Sequence, residues 1–422
     1  MKKILFAMAL LAMAPALKAG NGGVVLGDEQ FSSYLPMMKG SRIAVFSNHT
    51  GIVGDKTIAP GSDKGNAAID PSLIPFGKTA DGKDVAYGPH LVDVLLSKNI
   101  NITAILSPEH GFRGTADPGE VVKSGTDKET GIPILSLYAT SSHAPDAETM
   151  SKFDILLIDI QDVGLRYYTY YITMYHLMDA CSEYGKKVIL LDRPNPNGFY
   201  VDGPILDMKY KSGVGWLPIP IVHGMTLGEL ALMINGEGWL ENGRKCDLTV
   251  IACKNYTHKT KYRLIVPPSP NLKDMKAIYL YASTCFFEGT LATPAKGTSF
   301  PFEAYGSPEM KSDFNFTPKS IPGAKSPLFE NELCHGKDLR GICDEEIWKK
   351  GIDLSYIIEA YGSLGAGDRF FGTNNHFEQL VGNGDVRKMI EEGKSAEEIK
   401  KSWKSDVENF LIKRKPYLLY PE

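Results

Sequence analysis

Glu109, His110 and Arg113 stand together in the stretch Ser107-Pro108-Glu109-His110-Gly111-Phe112-Arg113-Gly114. An acid, an imidazole and a guanidinium set among glycines can move a proton, tune it and hold an anion. The apolar run Ile102 to Leu106 before them reads as a buried strand that Ser107-Pro108 stops. In open α/β sheets, ligands bind at that edge, outside the C-terminal ends of the strands. A loop ion pair capping the strand is the plain alternative.

Three more polar loops follow strand-like runs: residues 47–51, 159–168 and 192–198. Parallel strands deliver such loops to one edge. Asn48, His49, Asp159, Asp162, Arg166, Asp192, Arg193 and Asn195 are therefore expected to meet Glu109, His110 and Arg113 there. Each also has a structural reading, as a helix cap, an internal ion pair or a turn residue. A second cluster comes later: Cys285-Phe286-Phe287-Glu288-Gly289-Thr290, followed by Lys296-Gly297-Thr298 and Pro301-Phe302-Glu303. Glu288 lies between aromatics and a glycine, and an apolar pocket suits a carboxyl to general acid work. The alternative is an edge glutamate facing water. Tyr167, Tyr168, Tyr170, Tyr171 and Tyr175 crowd one helix start. At helical spacing at least half belong to the core, and the remainder are placed to stack on a sugar ring.

Other chemistries lack their residues. There is no Gly-x-Gly-x-x-Gly after a strand, no Walker loop, no Gly-x-Ser-x-Gly elbow and no His-Glu-x-x-His. The nine histidines are scattered, so neither a metal nor a cofactor is expected. The six cysteines form no Cys-x-x-Cys pair, which argues against a zinc ribbon or a thioredoxin-type site. Cys181 and Cys285 read as core residues, and Cys334 with Cys343 would suit a loop bridge in an oxidising compartment.

The elements that must position these groups alternate. Strand-like runs at Arg42 to Phe46, Ile102 to Leu106, Pro133 to Leu137, Asp154 to Ile160, Lys187 to Leu191 and Asp247 to Ala252 are interleaved with helical spacing at His90 to Leu96, Tyr168 to Tyr184 and Met225 to Ile234. This is the pattern of an α/β domain, a mostly parallel sheet with helices on both faces. Thr226 with Glu229, and Ser395 with Glu398, have the spacing of capping boxes. Ile399, Trp403, Val407 and Phe410 continue the second as a terminal helix. Pro267-Pro268-Ser269-Pro270-Asn271 is a rigid break. The boundary is placed near 260, giving residues 20–258 and a smaller C-terminal domain of 259–422. Residues 1–19 read as a signal peptide: Lys2 and Lys3, the short apolar run Ile4 to Met13, then small residues to Ala19. With a net charge of −4 and ordinary globular composition, neither nucleic acid nor a membrane surface is indicated as partner.

The stretch 107–114 resembles the leading motif of the NamZ-type exo-β-N-acetylmuramidases. Asp159-Ile160-Gln161-Asp162-Val163-Gly164-Leu165-Arg166-Tyr167-Tyr168-Thr169-Tyr170, Leu191-Asp192-Arg193-Pro194-Asn195-Pro196, Pro268-Ser269-Pro270-Asn271 and Cys285 to Thr290 are similar to its later motifs, in order. Where that family usually has Gly-Arg-Gly-Thr, this chain reads Ala295-Lys296-Gly297-Thr298. The resemblance implies a Rossmann-like N-terminal domain, a smaller α+β C-terminal domain and a cleft between them. It also implies release of N-acetylmuramic acid from the non-reducing end of peptidoglycan fragments, in recycling or wall breakdown; the leader at residues 1–19 is what makes an exported, periplasmic or secreted protein the expectation. Glycosidic cleavage needs two carboxyls. Glu109, tuned by His110, is expected as acid or base, Glu288 as partner across the cleft, and Asp162 in reserve. Arg113, Arg166, Arg193 and Lys296 are candidate cations for the lactyl carboxylate, Tyr168 and Tyr170 a stacking wall, and Asn48 and Asn195 further substrate contacts. A non-catalytic binder of wall sugars would use the same aromatics and cations.

Overall fold

The structure is a computed structural model that describes residues 23–55, 71–79, 82–108, 112, 124–137, 145–365 and 367–422. Seven strands form the larger sheet: β1 (Ile43–Ser47), β2 (Ile102–Ser107), β3 (Gly125–Thr126), β4 (Pro133–Ser136), β5 (Ile155–Asp159), β6 (Lys187–Leu191) and β7 (Asp247–Ile251). Their order is β3-β4-β2-β1-β5-β6-β7, parallel throughout except for the short β3. The chain builds outward from β1 through β2 to β4, then returns to the other side of β1 at β5 and builds outward again. The order therefore reverses between β1 and β5. A crevice opens at such a point because the flanking connections leave on opposite faces.

Both faces of the sheet are covered, which is why its strands read as unbroken apolar runs. Ala44, Phe46, Leu156, Ile158, Val188 and Leu190 pack toward the helices Tyr170–Glu183 and Leu227–Gly236. Ile43, Val45, Ile105, Leu157, Ile189 and Leu191 point the other way, toward the helix Leu91–Ser97. Alternation along each strand decides which residue goes to which face.

A smaller second domain carries an antiparallel sheet, β8 (Ala304–Ser307), β9 (Phe314–Phe316) and β10 (Cys334–Asp338), in the order β8-β10-β9. The helix Met275–Thr284 precedes it, and all ten of its residues are buried. An element surrounded on every side has no polar face, so periodicity does not reveal it.

Both capping boxes form, at Thr226 with Glu229 and at Ser395 with Glu398. The terminal helix is not continuous. It breaks at Trp403 into Ala396–Ser402 and Lys404–Arg414, with the buried indole donating to Asp202 Oδ1 at 3.0 Å. The bridge between Cys334 and Cys343 is not formed: all six cysteines are free, with Cys334 buried in β10 and Cys343 exposed. No helix among the described residues is long and apolar enough to cross a membrane.

Candidate active site

The loops after β1 and β5 meet where the strand order reverses. Ser47 pairs with Asp159 in register, so both loops leave the sheet at the same level. Asn48, fully buried, closes the first loop: its Oδ1 accepts the Thr50 N–H at 3.0 Å and the Thr50 hydroxyl at 2.7 Å. The Thr50 hydroxyl in turn accepts the Gln161 N–H at 3.1 Å, which fastens the two loops together. Gln161 donates through Nε2 to the carbonyls of Asp162 and Pro194, both at 2.8 Å. Its Oε1 has no hydrogen-bond partner among the described residues.

Asp162 follows. Its Oδ1 accepts the Gly164 N–H at 2.7 Å, while Oδ2 has no hydrogen-bond partner among the described residues. Burial pushes this carboxyl from 3.8 up to about 7, against the pull of the Gly164 and Val163 amides. The turn that holds it needs glycine. Gly164 has φ +76°, and a Cβ there would lie 2.1 Å from Asn195 Nδ2. Asn195 is fixed in its own right, donating to the Met225 carbonyl and accepting the Asn197 amide. Asn197 reaches back to the Val163 carbonyl at 2.9 Å. The loop after β6 is thus a mould for the loop after β5, and Asn195 acts through it rather than by facing an open site.

The cations expected at this edge are used inside the protein. Arg193 is buried and donates to Asp159 (2.7 Å), Asp28 (2.8 Å) and Asp55 (2.9 Å). Arg166 is fully buried and donates to four main-chain carbonyls, those of Pro204, Ile219, Leu380 and Val381. The expectation that either meets a substrate carboxylate is corrected by these bonds. Asp192, likewise interior, accepts the hydroxyls of Thr226 (2.6 Å) and Tyr420 (2.5 Å).

Tyr168 and Tyr170 are also corrected as an open stacking wall. Both rings are buried, and both hydroxyls donate to the Pro268 carbonyl, at 2.7 and 3.2 Å. Asn48 Nδ2 donates to the Tyr170 hydroxyl at 3.0 Å. His49 Nε2 lies 2.7 Å from the Pro267 carbonyl. These contacts hold the rigid segment 267–271 against the sheet edge.

Glu288 lies in the second domain at the rim of a cavity of about 370 Å³. Lys296 Nζ donates to its Oε1 at 2.5 Å, and the Cys285 thiol lies 3.6 Å from Oε2. The pairing of Glu288 with Lys296 joins two expected site residues. Glu109, His110 and Arg113 lie outside the described residues. Among those described, no group of three or more His, Cys, Asp and Glu side chains is placed to hold a metal.

The profile described as exo-beta-N-acetylmuramidase NamZ, N-terminal, matches residues 81–276, and its C-terminal counterpart matches residues 279–420. The peptidoglycan beta-N-acetylmuramidase NamZ of Bacillus subtilis (strain 168) is 39% identical over 410 residues, covering 93% of this chain and 90% of that protein. The chain belongs to the NamZ exo-β-N-acetylmuramidase family. Two crystal structures of DUF1343 family proteins from Bacteroides fragilis NCTC 9343 are similar to it. One is 58% identical with a TM-score of 0.81, the other 24% identical with a TM-score of 0.74, and each comparison covers 94% of this chain and 99% of the other. The second speaks for the fold alone.

Within the NamZ architecture Arg166 has a clear place. Two of its carbonyl partners come from the part matched by the N-terminal profile and two from the part matched by the C-terminal one. It fastens the two halves behind the site. Gln161 and the Pro268 carbonyl are not among the site groups that the sequence nominates. Gln161 had a signal, its position between Asp159 and Asp162 in a polar loop, whereas a carbonyl carries no sequence signal.

Proposed function

We propose that this protein is an exo-acting glycoside hydrolase that releases N-acetylmuramic acid from the non-reducing end of peptidoglycan fragments, in cell-wall turnover or recycling. Family membership supports the activity. The observation that carries the chemistry is Asp162: a buried carboxyl at the reversal point of the sheet, clamped through one oxygen, without a hydrogen-bond partner at the other among the described residues, and raised to about 7.

Cleavage needs a proton on the leaving oxygen and a second carboxyl for the anomeric centre. Asp162 is suited to the first task, since a carboxyl with pKa near the working pH is an effective general acid. Glu109, two residues beyond β2, is the proposed second carboxyl, with His110 tuning it and Arg113 supplying positive charge. Glu288, held by Lys296, orients that lysine rather than moving protons.

Turnover of a chromogenic N-acetylmuramic acid glycoside tests the reading. Glu109→Gln should lower it by at least about 10²-fold with the fold intact. Normal turnover in that variant would remove Glu109 from the mechanism, and no turnover by the unaltered chain would leave only a sugar-binding role. Export is part of the proposal, supported by Lys2, Lys3 and the apolar run that follows them. Recovery of the full chain from the cytosolic fraction, with its first residues intact, would contradict it.

A further inference from the structure

We propose that Gln161 is a specificity-determining residue, whose side-chain oxygen accepts a neutral N–H or O–H donor of the terminal sugar. The inference rests on the hydrolase reading and deepens it. Gln161 lies just beyond β5, in the loop that leaves the sheet where the strand order reverses. It is 3% exposed. Its Nε2 donates to two carbonyls, those of Asp162 and Pro194, both at 2.8 Å. These bonds fix which end of the amide is which. Turned over, the amide would set its oxygen against two carbonyl oxygens and lose both bonds. Oε1 is therefore an acceptor of fixed direction, and it has no hydrogen-bond partner among the described residues.

The donors of the surrounding loops are committed to one another. The Gln161 main-chain N–H donates to the Thr50 hydroxyl at 3.1 Å, and that hydroxyl donates to Asn48 Oδ1 at 2.7 Å. The Gly164 N–H goes to Asp162, Asn197 Nδ2 to the Val163 carbonyl and Asn195 Nδ2 to the Met225 carbonyl. A buried amide oxygen in such a setting takes its donor from outside the chain. The next residue is Asp162, so the molecule that brings the donor is the one on which the proposed acid works.

The proposed substrate offers few such donors. In N-acetylmuramic acid at a non-reducing end, the 3-oxygen carries the lactyl ether. The neutral donors that remain are the 4-hydroxyl, the 6-hydroxyl and the acetamido N–H. The 4-hydroxyl has a particular meaning, because in an internal unit that oxygen is glycosylated and has no proton to give. A locked, buried acceptor tells the two apart, since the wrong partner leaves it unpaired. An acceptor that reads the 4-hydroxyl helps to make the enzyme exo-acting.

The test compares the chromogenic N-acetylmuramic acid glycoside with three analogues that each lack one donor: the 4-deoxy form, the 6-deoxy form and the form with an acetate ester in place of the acetamide. The unaltered chain should disfavour at least one analogue by about tenfold or more in kcat/KM. In Gln161→Met one such penalty should vanish, while the other analogues keep their ratios to the parent glycoside. Each ratio is read within one protein, so the two bonds lost with Nε2 do not hide it. Where Gln161→Met does not fold, Gln161→Glu carries the test with the opposite expectation: it keeps an acceptor oxygen and so keeps the penalty. Which penalty vanishes tells whether Gln161 reads the 4-hydroxyl, the 6-hydroxyl or the acetamido N–H. Equal turnover of all four glycosides by the unaltered chain, or penalties that all persist in Gln161→Met, overturns the inference and leaves Oε1 with a structural water only. Absence of any turnover would overturn the hydrolase reading instead. In that event calorimetry with free N-acetylmuramic acid and the same three analogues still decides, and one analogue should bind about tenfold more weakly to the unaltered chain.

Discussion

The Gly164 amide holds Asp162 Oδ1 at 2.7 Å, and the opposite oxygen of the same buried carboxyl meets no donor among the described residues. A buried polar atom without a partner is costly. It persists here because the loops after β1, β5 and β6 are bonded to one another and over-determine the turn. Its position at the strand-order reversal is the ground on which Asp162 is proposed as the proton donor.

Asp162→Asn separates a reacting carboxyl from a structural one. It should lower turnover by at least about 10²-fold. The linkage has a definite sign. Between the ordinary value of 3.8 and about 7 the folded chain carries a proton on Asp162 that the unfolded chain lacks. Its contribution to stability is full below about pH 4 and is lost as pH rises through about 7. The melting temperature of Asp162→Asn should therefore gain on the unaltered chain from pH 4 to pH 8. A difference that stays flat over that range would show that the carboxyl titrates normally.

Arg166 predicts loss of stability rather than loss of binding. Its guanidinium is buried and donates to four carbonyls drawn from both halves of the chain. Arg166→Met leaves these acceptors without their donor, at about 1–3 kcal/mol for each one left unsatisfied. Arg166→Lys cannot restore the fork, because one ammonium does not span four positions. Denaturant unfolding should show a loss of several kcal/mol in both variants. A loss below about 1 kcal/mol would mean that water replaces the arginine.

The sheet was legible because its chemistry is local. Strands covered on both faces are unbroken apolar runs, and Lys187–Leu191 begins and ends where the pattern does. Both capping boxes were legible for the same reason: four residues carry the whole signal. The helix Met275–Thr284 was hidden by its complete burial. The break at Trp403 was hidden, and the partner of its indole, Asp202, lies about two hundred residues away in the sequence. In the site, residue type located the loops but not the use of each side chain. Arg193 and Lys296 are both cations in polar loops, and only the surroundings show one enclosed by three aspartates and the other at a cavity.

The Arg193 cluster predicts an asymmetry between its members. Three carboxylates around one guanidinium leave buried negative charge in excess, and burial raises Asp28 to about 8. Ionising Asp28 in the folded chain is therefore unfavourable, and Asp28→Asn, which removes that demand, should raise stability at pH 7 rather than lower it. Arg193→Met removes the only cation of the four and should cost about 3–5 kcal/mol. Thermal unfolding of the two variants at pH 7 checks the contrast, and equal losses would contradict it.

Tyr420 ties the end of the chain to the sheet edge, and its effect should depend on pH. The Tyr420 hydroxyl donates to Asp192 Oδ2 at 2.5 Å beside the Thr226 hydroxyl. Burial raises Asp192 from 3.8 to about 6, and these two hydroxyls pull it down. Removing one in Tyr420→Phe raises the carboxyl further. Below about pH 5 Asp192 is protonated in both proteins, and the variant forfeits only a neutral bond, about 1 kcal/mol. As pH rises through 6 the unaltered chain ionises Asp192 against its two hydroxyls, while the variant must either hold the proton or bury a poorly solvated charge. The stability gap should widen to about 1.5–3 kcal/mol by pH 8, the range for a hydrogen bond to a charged group. Urea unfolding of both proteins at pH 5 and pH 8 measures it. An equal gap at the two values would mean that Asp192 ionises without help from Tyr420.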